Sequence, residues 1–211
     1  MPRKPAHEQL DTLQILRDQA FELFGRNGYE GVSIGDIATA TGLSKGALYW
    51  HFSSKEALFL DCQARLHGLF DHYIFHPIQN EPQPTLGVLL LFRGLEQLVR
   101  DPRVQQGIGG YWLIPVSTET SRLVAAQRGF EQRSQAVLAA ALERGVAAGL
   151  FNLGSDLDDM ARAVIAIVEA VVLPLRHQSP EEVHRILAVL ARTFFRAYAR
   201  PQDLAALLHQ F

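Results

Sequence analysis

The chain has 211 residues, of which 48% are hydrophobic, 20% charged and 9% aromatic, with a formal net charge of −2. That is ordinary globular composition, enough for one large domain or a small one joined to a larger one. A single cysteine, Cys62, excludes a disulfide framework and a cysteine-rich zinc site and fits a reducing cytoplasm, where the protein is expected.

No basic-led apolar run with a small-residue cleavage site opens the sequence, so export is not expected. The most apolar window, residues 161–175, is interrupted by Arg162 and Glu169 and is too short for a membrane span. The helical period dominates throughout. Leu13, Leu16, Ala20, Leu23 and Phe24 recur at helical spacing, and Asn27-Gly28 supplies a left-handed stop. Ser33-x-x-Asp36 is a capping box opening a short helix over 33–40, with Ile34, Ile37 and Ala38 facing inward. Thr41-Gly42-Leu43 breaks it, and Ser44 caps a second short helix reaching Phe52. A further box, Ser53-x-x-Glu56, opens a helix expected to reach His76, before a linker over 77–84 marked by three prolines. Helices follow over 85–100, ending at Asp101-Pro102, over a turn or two in 104–109, and over 117–149. The next, over 157–173, is capped by Ser155-x-x-Asp158 and stopped by Pro174. The last begins at Ser179-Pro180-Glu181-Glu182, where serine caps and proline takes the first helical position. No alternating strand pattern and no internal repeat appear, so the fold class is all-α.

Residues 33–52, SIGDIATATGLSKGALYWHF, place two short helices around a glycine-containing turn. That is the spacing of a helix-turn-helix, whose second helix lies in a DNA major groove. Capping by Ser44 leaves the first-turn amides facing outward, where they can meet a phosphate. Lys45, Gly46 and Ala47 form a low surface that allows close approach to base edges. Tyr49 and His51 offer donors at phosphate reach, and Lys55 adds a cation in the first turn of the next helix. The chain has three lysines, and two of them flank this helix. Helix-turn-helix geometry also occurs in proteins that never touch DNA. Residues 1–60 carry slightly more acidic than basic side chains, whereas phosphate neutralisation supplies much of non-specific affinity. Spacing alone leaves DNA binding open.

The stretch LRDQAFELFGRNGYEGVSIGDIATATGLSKGALYWHFSSKEAL closely resembles the N-terminal DNA-binding region of the TetR/AcrR family of bacterial transcriptional regulators. The resemblance runs without a gap through Leu16, Ala20, Leu23, Phe24, Gly28, Tyr29, Ser33, Ile37, Ala38, Gly42, Ser44, Gly46, Tyr49, His51, Phe52, Lys55, Glu56 and Leu58. It departs at Arg17 and Gln19, where the family has apolar or small residues, and at Thr41. The resemblance implies an all-helical homodimer with a three-helix reading head over 1–53 and a helical ligand-binding and dimerisation body over 54–211, in which 54–76 is the connecting helix. It implies base approach by Ser44, Lys45, Gly46 and Ala47 on double-stranded operator DNA, and phosphate contacts by Tyr49, His51 and Lys55, with Ser33 and Tyr29 beside them. The basic start, Arg3 and Lys4, would reach a groove or stay a disordered tail. The function implied is a ligand-responsive regulator, most simply a repressor; an activator shares the same sequence features.

The helices at 157–173 and 180–199 carry broad apolar faces. On the first lie Leu157, Met160, Ala161, Val164, Ile167, Val168, Val171 and Val172; on the second, Ile186, Leu187, Leu190, Phe194 and Tyr198. Faces this wide suggest a four-helix bundle with a second subunit, in line with the family's habit. An apolar small-molecule effector is implied, with Phe70, Tyr73, Phe92, Tyr111, Trp112 and Phe130, and the charged Glu169, as candidate lining. His72 and His76 have the i,i+4 spacing of a metal pair, near Asp71 and His67, but no HExxH is present and Cys62 lies well over two turns away. They are read as a solvated or pocket-edge pair, with no metal. Gly107-Ile108-Gly109-Gly110 lacks the lysine and the strand of a phosphate loop, so no cofactor is expected. Gly145-x-x-x-Gly149 marks close packing or a helix end. An enzyme or small-molecule carrier with an incidental helix-turn-helix is the alternative; no nucleophile, base and orienting group stand at a recognisable spacing.

Overall fold

The computed structural model describes residues 6–154 and 156–209, and the chain is all-helical. Among these residues the only strand-like pairing is an isolated antiparallel bridge between Phe151 and Ala199. Arg3, Lys4 and the expected cap Ser155 lie outside the described residues.

α1 (Ala6–Asn27) ends where Gly28 takes a φ of 73°, the left-handed conformation that the Asn27-Gly28 pair predicts. α2 (Ile34–Thr41) opens on the expected capping box. Ser33 Oγ accepts from the Asp36 N–H at 3.2 Å, and the Asp36 carboxylate accepts from the Ser33 N–H at 2.8 Å. Ser44 Oγ accepts from the Ala47 N–H and starts α3 (Lys45–His51). The cap of α4 (Lys55–Phe70) falls one residue later than the sequence suggests: Ser54, not Ser53, accepts from the Ala57 N–H at 3.0 Å.

α4 then passes through a π-helical turn (Asp71–Phe75) into α5 (His76–Asn80). The expected end at His76 and the linker over 77–84 are therefore corrected, since only residues 81–83 connect. The physical reason is the π turn. The His76 N–H bonds the Asp71 carbonyl five residues back, and the shifted register puts Pro77 in the first turn of α5, where its missing N–H costs no helical bond.

α6 (Pro84–Arg100) and α7 (Pro102–Gln105) flank Asp101, and a 3-10 turn (Gly109–Tyr111) follows. α8 (Ser121–Ala147) begins four residues later than expected because Ser117 and Thr120 close a turn of their own, the Ser117 N–H donating to Thr120 Oγ1 at 3.0 Å. Gly145 faces the Phe151 ring closely enough that a Cβ would strike it. α9 (Leu157–Leu175) is capped by Asp156, which accepts from the N–H groups of Asp158 and Asp159. Pro174 does not stop it. It sits one residue from the helix end, where a single lost bond is tolerated. α10 (Pro180–Tyr198) carries the predicted Ser179–Glu182 box, and α11 (Pro201–Leu208) had no counterpart in the sequence reading.

The chain forms two compact units. One joins the described residues up to His67 with Gln106–Arg128; the other joins Gly68–Gln105 with the residues from Gly129 onward. Compactness thus draws a line of its own, elsewhere than the division expected at 53/54. Tyr111 explains why 106–128 belongs with the N-terminal helices. Its ring lies 5.3 Å from those of both Phe21 and Phe59, and its hydroxyl donates to the Phe21 carbonyl at 3.0 Å. In the same unit Leu16, Phe24, Ile37 and Leu58 are fully buried. In the second unit α6 packs on the π turn and on α10, enclosing Ile74, Leu91, Leu95, Leu187 and Phe195.

Candidate nucleic-acid interface and effector cavity

α2 and α3 are too short to be stable alone. They are held by Ile37 and Leu48, both buried, and by their serine caps. Because Leu48 faces the core, the opposite side of α3 is open. Lys45 and Gly46 are exposed, Ala47 is half-buried, and Tyr49 and Trp50 are 54% and 66% exposed. Nothing but Ser44 Oγ would stand within 4 Å of a Cβ on Gly46, so this surface is flat enough for a groove floor. The acceptor sides of Ser33 Oγ and Ser44 Oγ are taken by backbone amides, which leaves each hydroxyl its proton to donate. Trp50 was missed by the sequence reading. The available sign was the helical period: with Leu48 inward, residue 50 must face out.

Two expected phosphate ligands have more local business. His51 is half-buried, its ring 4.6 Å from that of Trp50 and nearly perpendicular to it. Burial, aided by the Arg17 charge, holds its pKa below the ordinary histidine value, so at neutral pH it offers a neutral N–H rather than a cation. The Lys55 ammonium donates to the carbonyls of Tyr29 at 2.9 Å and Val32 at 3.2 Å, and lies 4.1 Å from the centre of the Tyr29 ring. It clamps the turn before α2 to the start of α4. Arg17, one of the positions that depart from the family pattern, forms a two-pronged ion pair with Asp61 at 2.8 and 3.0 Å, and Arg65 pairs with Asp18 at 2.7 Å. These pairs tie α1 to α4.

In the C-terminal unit the proposed lining residues do not gather in one place. Phe92 lines a cavity of about 270 Å³ between α6, α9 and α10, with a wall made almost wholly of carbon: Leu95, Val164, Val168, Leu190 and Phe194 beside it. Phe70 and Phe130 meet edge to face at 5.9 Å in the core. Tyr73 donates to Asp101 at 3.0 Å, and Asp101 is gripped by Arg103. Glu169 is half-buried on α9. Tyr111 and Trp112 belong to the other unit. Much of the apolar surface read as a subunit face is turned inward: Ala161, Val168, Val172 and Leu187 are buried within the chain. Ile167, Ile186 and Val189 remain 53%, 41% and 60% exposed.

A serine-capped helix open to solvent on a three-helix scaffold, in a chain whose α6, α9 and α10 line an apolar cavity, is the arrangement found in the class of helix-turn-helix transcriptional regulators. Residues 16–62 match the family model of the bacterial regulatory proteins of the tetR family. Over this stretch the chain is similar to the DNA-binding region of the TetR family. The HTH-type transcriptional regulator AcrR of Shigella flexneri is 44% identical over 59 residues, which span 28% of this chain and 27% of that protein. The probable acrEF/envCD operon repressor of Escherichia coli K12 is 25% identical over 218 residues, covering 100% of this chain and 97% of that one. A solved structure of a SmeT–triclosan complex shares the fold with a TM-score of 0.71 at 22% identity, over 90% of this chain and 93% of SmeT. Among the described residues, no helix is long and apolar enough to cross a membrane.

Proposed function

We propose that this regulator is a cytoplasmic repressor that holds its operator as a homodimer and releases it when a small, largely apolar molecule binds the C-terminal unit. The observation that carries the reading is the carbon-lined cavity around Phe92, because an empty apolar space of this kind is favourable to fill and offers almost nothing to a polar solute. Two likenesses support it: a relative aligned over 97% of its length is named as a probable operon repressor, and a protein of the same fold is named with triclosan bound.

In this reading residues 1–53 read DNA and 54–211 bind the effector and dimerise. Lys45, Gly46 and Ala47 approach base edges, with Ser44, Tyr49 and Trp50 at the phosphates. Two heads must stand roughly 34–36 Å apart, one DNA turn, or a multiple of that. An effector that binds better to dimers with another head spacing lowers operator affinity by the ratio of its two affinities. The helix leading out of the head, over 54–76, is the natural lever.

The test is a fluorescence-anisotropy titration against the DNA flanking the protein's own gene, with scrambled DNA as competitor and triclosan as the apolar probe. The expected result is operator binding tighter than scrambled binding by a factor of about 10³ or more, weakened by triclosan. Equal binding to both DNAs overturns the operator reading. Unchanged operator affinity, at a triclosan concentration that calorimetry shows to be saturating, overturns the release reading.

A further inference from the structure

The C-terminal unit holds a second cavity, of about 440 Å³, that shares no lining residue with the apolar one. One wall is the π turn with α5, the other the middle of α8. In a regular helix of about 3.6 residues per turn His76 would face well away from Asp71. The i→i+5 bond between these two residues brings both to the same side, together with Phe75 and Gln79. Such π turns occur often at functional sites.

One observation separates this cavity from a solvated groove. Asp71 and Arg133 face the cavity from opposite walls and attract one another, yet no ion pair closes between them. Partial burial holds the Asp71 carboxyl above its ordinary range, against the pull of Arg133 and His76.

We propose that this cavity is a second ligand site, taking a small zwitterion with an apolar flank whose carboxylate meets Arg133 and whose ammonium meets Asp71. The charges of Asp71 and Arg133 sum to zero. A dipolar, net-neutral ligand inserted between them leaves no charge unpaired, whereas a plain anion confronts Asp71 and a plain cation confronts Arg133. Phe75 and Val137 supply the apolar floor, and the volume lies in the range of small-molecule sites.

The test uses the full chain, calorimetry and three probes with the same ring: L-phenylalanine, which carries both charges, phenylacetate, which carries the negative one, and phenethylamine, which carries the positive one. L-phenylalanine is expected to bind at least about tenfold tighter than either of the others, the worth of one charge-assisted hydrogen bond. Asp71→Asn should shift the preference toward phenylacetate and Arg133→Gln toward phenethylamine. Both side chains lie at the exposed rim, so neither change threatens the fold. The inference is overturned if the zwitterion has no advantage, if none of the probes binds at millimolar concentration, or if the advantage survives both charge substitutions. Loss of triclosan binding in Arg133→Gln would merge the two cavities and overturn the claim of a second site. No arm involves DNA, so the outcome is independent of whether triclosan releases an operator.

Discussion

Lys45 and Lys55 flank the same seven-residue helix, yet their charges act on different things. Lys45 is exposed on the open side of α3, and its ammonium is available to a phosphate or a base edge. Lys55 is half-buried, with two N–H groups on backbone carbonyls and its charge over the Tyr29 ring. The two should therefore fail differently. Lys45→Ala is expected to reduce the magnitude of the salt slope of DNA binding by about one unit. Lys55→Met is expected to leave that slope alone and to cost the N-terminal unit roughly 1–3 kcal/mol, since two part-buried carbonyls lose a charged donor. Anisotropy at several salt concentrations, paired with urea unfolding followed by circular dichroism, separates the two effects. A lowered slope with unchanged stability in Lys55→Met would restore the phosphate role that its position in the motif suggests. Sequence could not show the clamp, because the carbonyls of Tyr29 and Val32 lie more than twenty residues away and carry no side-chain signature.

Elements with local causes were legible, and those with tertiary causes were not. The boxes at Ser33–Asp36 and Ser179–Glu182 and the Ser44 cap each close within three residues, so a pattern is enough to place them. Prolines mislead as boundaries where the register changes beside them, as at Pro77, or where the helix is nearly over, as at Pro174. The π turn itself has no sequence mark; it is fixed by what packs on it. There Gly94 matters. A Cβ on Gly94 would collide with the Tyr73 carbonyl inside the π turn, so α6 can approach the turn only through a glycine. Gly94→Ala is therefore expected to destabilise the C-terminal unit by about 1–3 kcal/mol, the cost of overpacking against a backbone that cannot move freely. Because Asp71 and His76 are brought to one face by the same turn, L-phenylalanine binding should fall with it. Thermal unfolding of Gly94→Ala and Gly94→Ser checks this. A melting point equal to the wild type would show that the turn yields without cost. The six aromatic lining candidates scatter for a related reason: aromaticity marks burial, and burial alone does not distinguish a cavity wall from a filled core.

At the scale of the molecule, a regulator with a weakly charged head gains from reading two half-sites at once, and the apolar residues left exposed on α9 and α10 are where a second copy would sit. Ile167, Ile186 and Val189 are large side chains facing solvent on two helices of a unit that buries most of its aliphatic residues. In a two-fold interface every contact occurs twice, and a position close to the axis meets its own copy, so one substitution acts twice. Val189→Glu would bring two carboxylates together at the seam and is expected to give monomers in light scattering at micromolar concentration. Operator affinity should fall toward that of a single half-site, since the second head no longer binds at high effective concentration. Val189→Lys should do the same. The stronger test is their mixture. A glutamate chain and a lysine chain carry opposite charges at the same place, so equimolar mixing is expected to restore a dimer and with it operator binding. Charge repair of this kind cannot follow from damage to the fold of either chain, because each variant would bring its own defect into the mixture. If both variants remain dimeric alone, or the mixture stays monomeric, the outer faces of α9 and α10 are not the seam, and the pairing of heads must be sought on another surface.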